Sequence, residues 1–193
     1  MLESLLVSTG VIALAEIGDK TQLLAFLLAA RFKKPLPIIA GIFVATTLNH
    51  SLAGALGAWL TTAIGPDVLR WVLGVSFIGM AIWTLIPDEI EEDEAKVAGR
   101  LGVFGATAVT FFLAEMGDKT QLATVAMAAH YATPLMVVIG TTLGMLIADV
   151  PAVFAGDRLA TKIPMKLVHG IAAAIFAALG VATLLGAGAR FGF

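Results

Sequence analysis

Ala15-Glu16-Ile17-Gly18-Asp19-Lys20-Thr21-Gln22-Leu23 returns 99 residues later as Ala114-Glu115-Met116-Gly117-Asp118-Lys119-Thr120-Gln121-Leu122, with eight of nine positions identical. The same offset, without gaps, aligns Ala29-Ala30 with Ala128-Ala129, Pro35-Leu36 with Pro134-Leu135, Gly41 with Gly140, Gly57 with Gly156 and Thr84-Leu85 with Thr183-Leu184. Self-similarity at one fixed offset marks an internal repeat, so the chain reads as two halves. Both copies of the motif lie inside long apolar runs.

Those runs set the fold class. The chain has 193 residues, of which 59% are hydrophobic and only 13% charged, with a mean hydropathy of +0.96, well outside the range of soluble domains. Pro, Gly and charge divide it into six spans, approximately 4 to 30, 36 to 60, 68 to 86, 101 to 129, 134 to 157 and 166 to 187. The expected fold is therefore all-α and integral to the membrane, with six transmembrane helices as two inverted three-helix repeats. Residues 1–86 form the first repeat, 87–100 an acidic cytoplasmic linker and 101–193 the second repeat. The inversion follows from counting, because an odd number of spans per half sends the second half in from the opposite side.

Basic residues test the orientation. An external N-terminus puts Arg31, Lys33, Lys34, Lys96, Arg100, Arg158, Lys162 and Lys166 on the cytoplasmic side and leaves only Arg70 and Arg190 outside. Both termini are then expected outside. Six of the fourteen acidic residues crowd between Asp88 and Glu94, which reads as a solvated loop. Met1-Leu2-Glu3 lacks the positive region of a cleaved leader, so the first apolar run is expected to be retained. The absence of Cys removes thiolate metal sites and Cys nucleophiles.

Glu16, Asp19, Lys20, Glu115, Asp118 and Lys119 fall in mid-span, where each Asp or Lys costs roughly 2.5 to 3.5 kcal/mol to insert. Left unpaired, the six would cost on the order of 15 to 20 kcal/mol, so they must pair or bind something. In an unbroken helix Glu16, Asp19 and Lys20 share one face. Gly18 can loosen the helix there, and an unwound turn would expose carbonyl oxygens. Inverted halves let Glu16, Asp19, Glu115 and Asp118 meet near the midplane, with Lys20 and Lys119 compensating part of the charge. Thr21, Gln22, Thr120 and Gln121 can add side-chain oxygens.

With every group ionised, four carboxylates and two lysines leave a charge that one divalent ion balances. Protons can fill the same place, and competition between metal and proton is the basis of cation/proton exchange. The hard oxygen donors suit Ca, Mn or Mg better than Zn or Cu. Met116 and Met127 are expected to be core filler. Asn49 and His50 align with Ala148 and Asp149, and Asp149, His50 and Asn49 are candidates for a proton relay, for the metal shell or for a plain interhelical hydrogen bond. Asp157 and Arg158 are expected to pair at a helix end. Gly-Asp-Lys-Thr is not a phosphate-binding loop, since the preceding glycine spacing is absent and no strand leads into it.

Two copies of Glu-x-Gly-Asp-Lys-Thr, Glu16 to Thr21 and Glu115 to Thr120, in two three-helix halves joined by an acidic loop make the chain resemble the Golgi-type manganese and calcium transporter family of the calcium/cation antiporter superfamily. The resemblance covers essentially the whole chain. It implies a secondary transporter that exports Mn2+ or Ca2+ from the cytosol, in exchange for H+, with Glu16, Asp19, Glu115 and Asp118 as metal ligands and Thr21, Gln22, Thr120 and Gln121 supporting. Similarity to bacterial manganese exporters implies the inner membrane. The expected partners are the transported metal and the lipid bilayer, with no organic cofactor, no nucleic acid and no covalent chemistry; the oligomeric state is left open. Other readings of the same residues stand beside this one: an exporter of small organic cations or amino acids, and a membrane-embedded hydrolase using metal-activated water.

Overall fold

The computed structural model describes residues 1–86, 101–131, 133–155 and 165–186. Among them every regular element is helical: α1 Leu2–Glu16, α2 Lys20–Phe32, α3 Pro35–Ala63, α4 Pro66–Trp83, α5 Gly102–Glu115, α6 Lys119–His130, α7 Pro134–Ala155 and α8 Met165–Leu184. Pro35, Pro66 and Pro134 each open a helix, where a missing N–H costs nothing and the fixed φ suits the first turn. The acidic stretch Asp88 to Glu94 and the pair Asp157–Arg158 lie outside the described residues.

Among the described residues four helices, α3, α4, α7 and α8, are long and apolar enough to cross a membrane, and α5 is a shorter apolar helix. The first and fourth apolar runs are not continuous helices, which corrects the reading that put Glu16, Asp19 and Lys20 on one helix face. With 15 residues in α1 and 13 in α2, and with 14 in α5 and 12 in α6, each piece falls short of the roughly 20 residues a span needs. Hydropathy extends through both breaks, so it cannot reveal them.

The surface suits a bilayer. Phe43, Trp59, Trp71, Ile82, Phe104 and Leu135 are exposed, whereas Glu16, Asp19, Asn49, His50, Glu115 and Asp149 are completely buried. A soluble protein arranges these classes the other way round. Hydrocarbon outside and polar groups inside is the arrangement of an integral membrane protein.

The halves pack on one another through equivalent residues. α1 lies along α7, and α5 along α3. Gly41 faces Thr107 and the Phe104 carbonyl, and Gly140 faces Ser8 and the Leu5 carbonyl, three correspondences at the offset of 99. A Cβ at Gly41 would lie 2.7 Å from Thr107 Cβ, and one at Gly140 2.6 Å from the Leu5 oxygen, so glycine is required for the approach. These contacts bring the two helix breaks together in the interior.

Candidate metal centre

Each break is built from the motif itself. Glu16 ends α1, Ile17 is extended (φ −63, ψ 114), Gly18 takes φ 86 and Asp19 (φ −78, ψ 168) starts α2. In the second copy Glu115 ends α5, Met116 has φ −67 and ψ 115, Gly117 φ 81, and Asp118 φ −77 and ψ 166. Left-handed φ explains the glycine, since a Cβ there costs about 1–2 kcal/mol. The Asp19 N–H returns to the Glu16 carbonyl at 3.0 Å, and the Asp118 N–H to the Glu115 carbonyl at 3.1 Å. Gln22 Oε1 accepts from the Gly18 N–H at 2.9 Å and Gln121 Oε1 from the Gly117 N–H at 2.7 Å. Both glutamine oxygens thus close the turns. Thr21 Oγ1 donates to Glu16 Oε2 at 2.5 Å, and Thr120 Oγ1 to Glu115 Oε2 at 2.9 Å and to Asp118 Oδ2 at 3.4 Å.

The helix ends add their own field. Glu16 and Glu115 stand at the C-terminal ends of α1 and α5, the negative ends of their dipoles, which favour a cation. Asp19 and Asp118 stand at the positive N-termini of α2 and α6, which stabilise a carboxylate.

The lysines cross over. Lys119 Nζ donates to Asp19 Oδ1 at 2.7 Å with both side chains essentially dry, while Lys20 Nζ lies 3.4 Å from Asp118 Oδ1 with its side chain 20% exposed. Oxygen atoms of Glu16, Asp19 and Asp118 come within 4.8 Å of one another, close enough to share one metal ion. Glu115 lies outside that triad but within electrostatic reach of Glu16, Asp118 and Asp19. Oε1 of Glu16 and Oε1 of Glu115 are buried without a hydrogen-bond partner among the described residues. Buried carboxylate oxygens rarely stay unsatisfied, because their desolvation goes uncompensated. A divalent cation, or protons, would satisfy them.

Around this centre the other polar residues divide. Gln22 Nε2 donates to the Ala148 carbonyl at 3.0 Å, and Gln121 Nε2 to Asn49 Oδ1 at 3.1 Å. Asn49 Nδ2 donates in turn to the Phe112 carbonyl at 3.0 Å, so Asn49 ties α3 to α5 and α6. Asp149 is buried, both of its oxygens lack hydrogen-bond partners among the described residues, and it lies within electrostatic reach of Glu16 and Asp19. His50 is equally buried, and neither ring nitrogen has a hydrogen-bond partner among the described residues. Met127 is core, whereas Met116 is exposed at the second turn. His169 on α8 escaped the sequence reading: its Nε2 donates to the Ile17 carbonyl at 2.8 Å, inside the first break. The offset pairs it with Arg70, so the repeat carried no signal for it.

The sequence profile of the divalent cation/proton antiporter GDT1 family matches residues 4–92 and 103–190, one motif in each segment. This chain belongs to that family. Among GDT1 relatives, a Vibrio cholerae serotype O1 protein named "Putative manganese exporter" is 50% identical over 184 residues, covering 95% of this chain and 91% of the relative. GDT1-like protein 3 of Oryza sativa subsp. indica is 28% identical over 208 residues, covering 95% of this chain and 74% of its own. GDT1-like protein 5 of Arabidopsis thaliana is 28% identical over 223 residues, with 96% of each chain covered. No solved structure matches. GDT1 membership makes this chain an integral membrane transporter of cations.

Proposed function

We propose that the protein exports Mn2+ or Ca2+ in exchange for H+, binding the ion between the two motifs at Glu16, Asp19, Glu115 and Asp118. The observation that carries this reading is the crosswise joining of the motifs at one buried centre, with three carboxylate oxygens within 4.8 Å. Hard oxygens at that spacing suit a hard divalent ion. The family description supports proton exchange, and the Vibrio relative's name supports manganese as the exported ion.

Counting α1 with α2 and α5 with α6 as two broken spans, beside α3, α4, α7 and α8, gives six crossings and three per half. The halves are then inverted, and the exchange of equivalent glycine contacts supports this. The charge bias puts both termini outside a bacterial inner membrane. Each aspartate holds a lysine of the other motif, so an arriving cation competes with two ammonium groups as well as with protons. Thr21 and Thr120 orient the glutamates, and Gln22 and Gln121 fix the turns. Asp149, His50 and Asn49 line the route by which protons reach or leave the centre. Alternating access follows from rocking one half against the other around the fixed site.

The test is metal uptake and internal pH in proteoliposomes, with Mn2+ and Ca2+ offered separately across a set proton gradient. Metal flux coupled to opposite proton flux is expected. Flux of neither ion would discard the reading and turn attention to organic cations.

A further inference from the structure

The polar centre has two apolar flanks, and they are built from different helices. α1 leads into the first break and α6 leaves the second, and their far ends meet where Ser4 Oγ and Thr133 Oγ1 lie 2.8 Å apart. α2 leaves the first break and α5 leads into the second, and Phe32 and Val103, near their far ends, pack into one cluster on the opposite side. On the Ser4 side Ile12, Ala126 and Met127 are buried together with Phe77 and Met80 of α4 and Phe176 of α8. On the Phe32 side Leu24, Leu28, Ile42, Phe111 and Ala152 form a second cluster, to which, among the described residues, neither α4 nor α8 contributes. α4 and α8 lie along each other, with α8 on α1 and α4 on α6. The equivalent pairings under the offset of 99, α4 on α5 and α8 on α2, have no comparable packing among the described residues.

Matched residues record the difference. Ala126 on α6 is 2% exposed, and its counterpart Leu27 on α2 is 41% exposed. Leu14 and Ile17 are half-buried, while their counterparts Leu113 and Met116 are 52% and 55% exposed. His169 of α8 closes over the first break through the Ile17 carbonyl, whereas Arg70, its counterpart on α4, lies beside Gly186 beyond the end of α8. Lys20 shows what fills the uncovered space. Paired with Asp118, two residues past Met116, it keeps its side chain 20% exposed in mid-span, and an ammonium group at that depth faces water and not hydrocarbon.

Resting on the transport reading above, we infer that the state described here opens the ion site towards the side of Arg31 and Lys34 and seals it on the side of Ser4 and Tyr131, with α4 and α8 as the seal. The contacts of α8 with α1 and of α4 with α6 run between halves, so the rocking that changes access releases both and brings α8 to α2 and α4 to α5. A cation or proton reaches the centre past Met116 and Lys20 in this state, and past Ile17 in the opposite one. With the basic loop in the cytoplasm, this is the state that loads cargo for export.

The chain has no cysteine, so single cysteines report without background. In the full-length protein, Met116→Cys, Ile17→Cys and Lys34→Cys are each treated with a membrane-impermeant maleimide in everted and in right-side-out vesicles, with Lys34→Cys marking the face of the basic loop. Met116→Cys is expected to label from the Lys34 face at least about tenfold faster than from the other face, and about tenfold faster than Ile17→Cys from that same face, because a minor access state is populated at about 10% or less. Equal rates at positions 17 and 116, labelling of 116 from the other face, or labelling of 116 from neither face would overturn the inference. If either variant fails to assemble, Leu113→Cys and Leu14→Cys, one turn earlier, make the same comparison. Mn2+ uptake by the wild-type vesicles separates the two readings. Its absence removes antiport whatever the labelling, and its presence beside equal labelling removes only the assignment of the open side.

Discussion

The two motifs fold into the same turn and live in different surroundings. Their backbone angles agree to within a few degrees, yet the Lys119–Asp19 pair is short and dry while the Lys20–Asp118 pair is longer and partly wet. Local sequence sets the turn, through Gly18 and Gly117 and the glutamine four residues on. The surroundings differ at residues that the repeat does not duplicate: Asp149 against His50, and His169 against Arg70. Identical motifs therefore need not contribute equally to one site.

The comparison can be broken most severely by removing its common element. Glu16→Gln with Glu115→Gln should reduce metal flux to the protein-free background while the melting temperature in detergent stays near wild type. Retained flux in that double variant would falsify the ion site. The lysines come next. Lys119→Ala removes a dry partner from the buried Asp19 carboxylate and should lose about 3–5 kcal/mol of stability, whereas Lys20→Ala, whose ammonium is longer-range and partly wet, should lose less. Equal losses in thermal or denaturant unfolding would mean that the two pairs are energetically alike after all.

Gly18→Ala and Gly117→Ala sharpen the opposite side of the comparison, the sameness of the turns. Each forces an L-residue into a left-handed conformation and should cost about 1–2 kcal/mol, similar in the two copies. A clear difference would show that the turns are held by their surroundings. The smallest effect is expected at His169. His169→Phe deletes one hydrogen bond to the Ile17 carbonyl and should cost about 0.5–1.5 kcal/mol, while Arg70→Ala, exposed at the equivalent position, should be close to neutral.

The duplicated motif, the polar interior and the apolar skin were all legible in the residues, because hydropathy and an ungapped repeat survive in one dimension. The break was half legible. Gly18 pointed to a loosened helix, but the shared helix face assumed for Glu16, Asp19 and Lys20 disappears once α1 ends at Glu16 and α2 begins at Lys20. Which lysine serves which aspartate was not legible, since the crossing from Lys20 to Asp118 and from Lys119 to Asp19 depends on how the halves dock. Gln22 and Gln121 looked like extra oxygen donors; their second role, reaching Ala148 and Asn49, needs the opposite half in place. His169 has no duplicated partner and touches only a main-chain oxygen, so neither motif nor repeat singles it out.

The glycine contacts between the halves have a mechanical consequence. With Gly41 against Thr107 and Gly140 against Ser8, α3 with α5 and α7 with α1 meet almost backbone to backbone, leaving no side-chain cushion to absorb tilt. Each pair behaves as a strut that turns as one piece. The compliant joints are then the residues between the half-helices, Ile17 to Asp19 and Met116 to Asp118, and the proposed ion site lies at those joints, where a small rotation of a strut would change the ligands most.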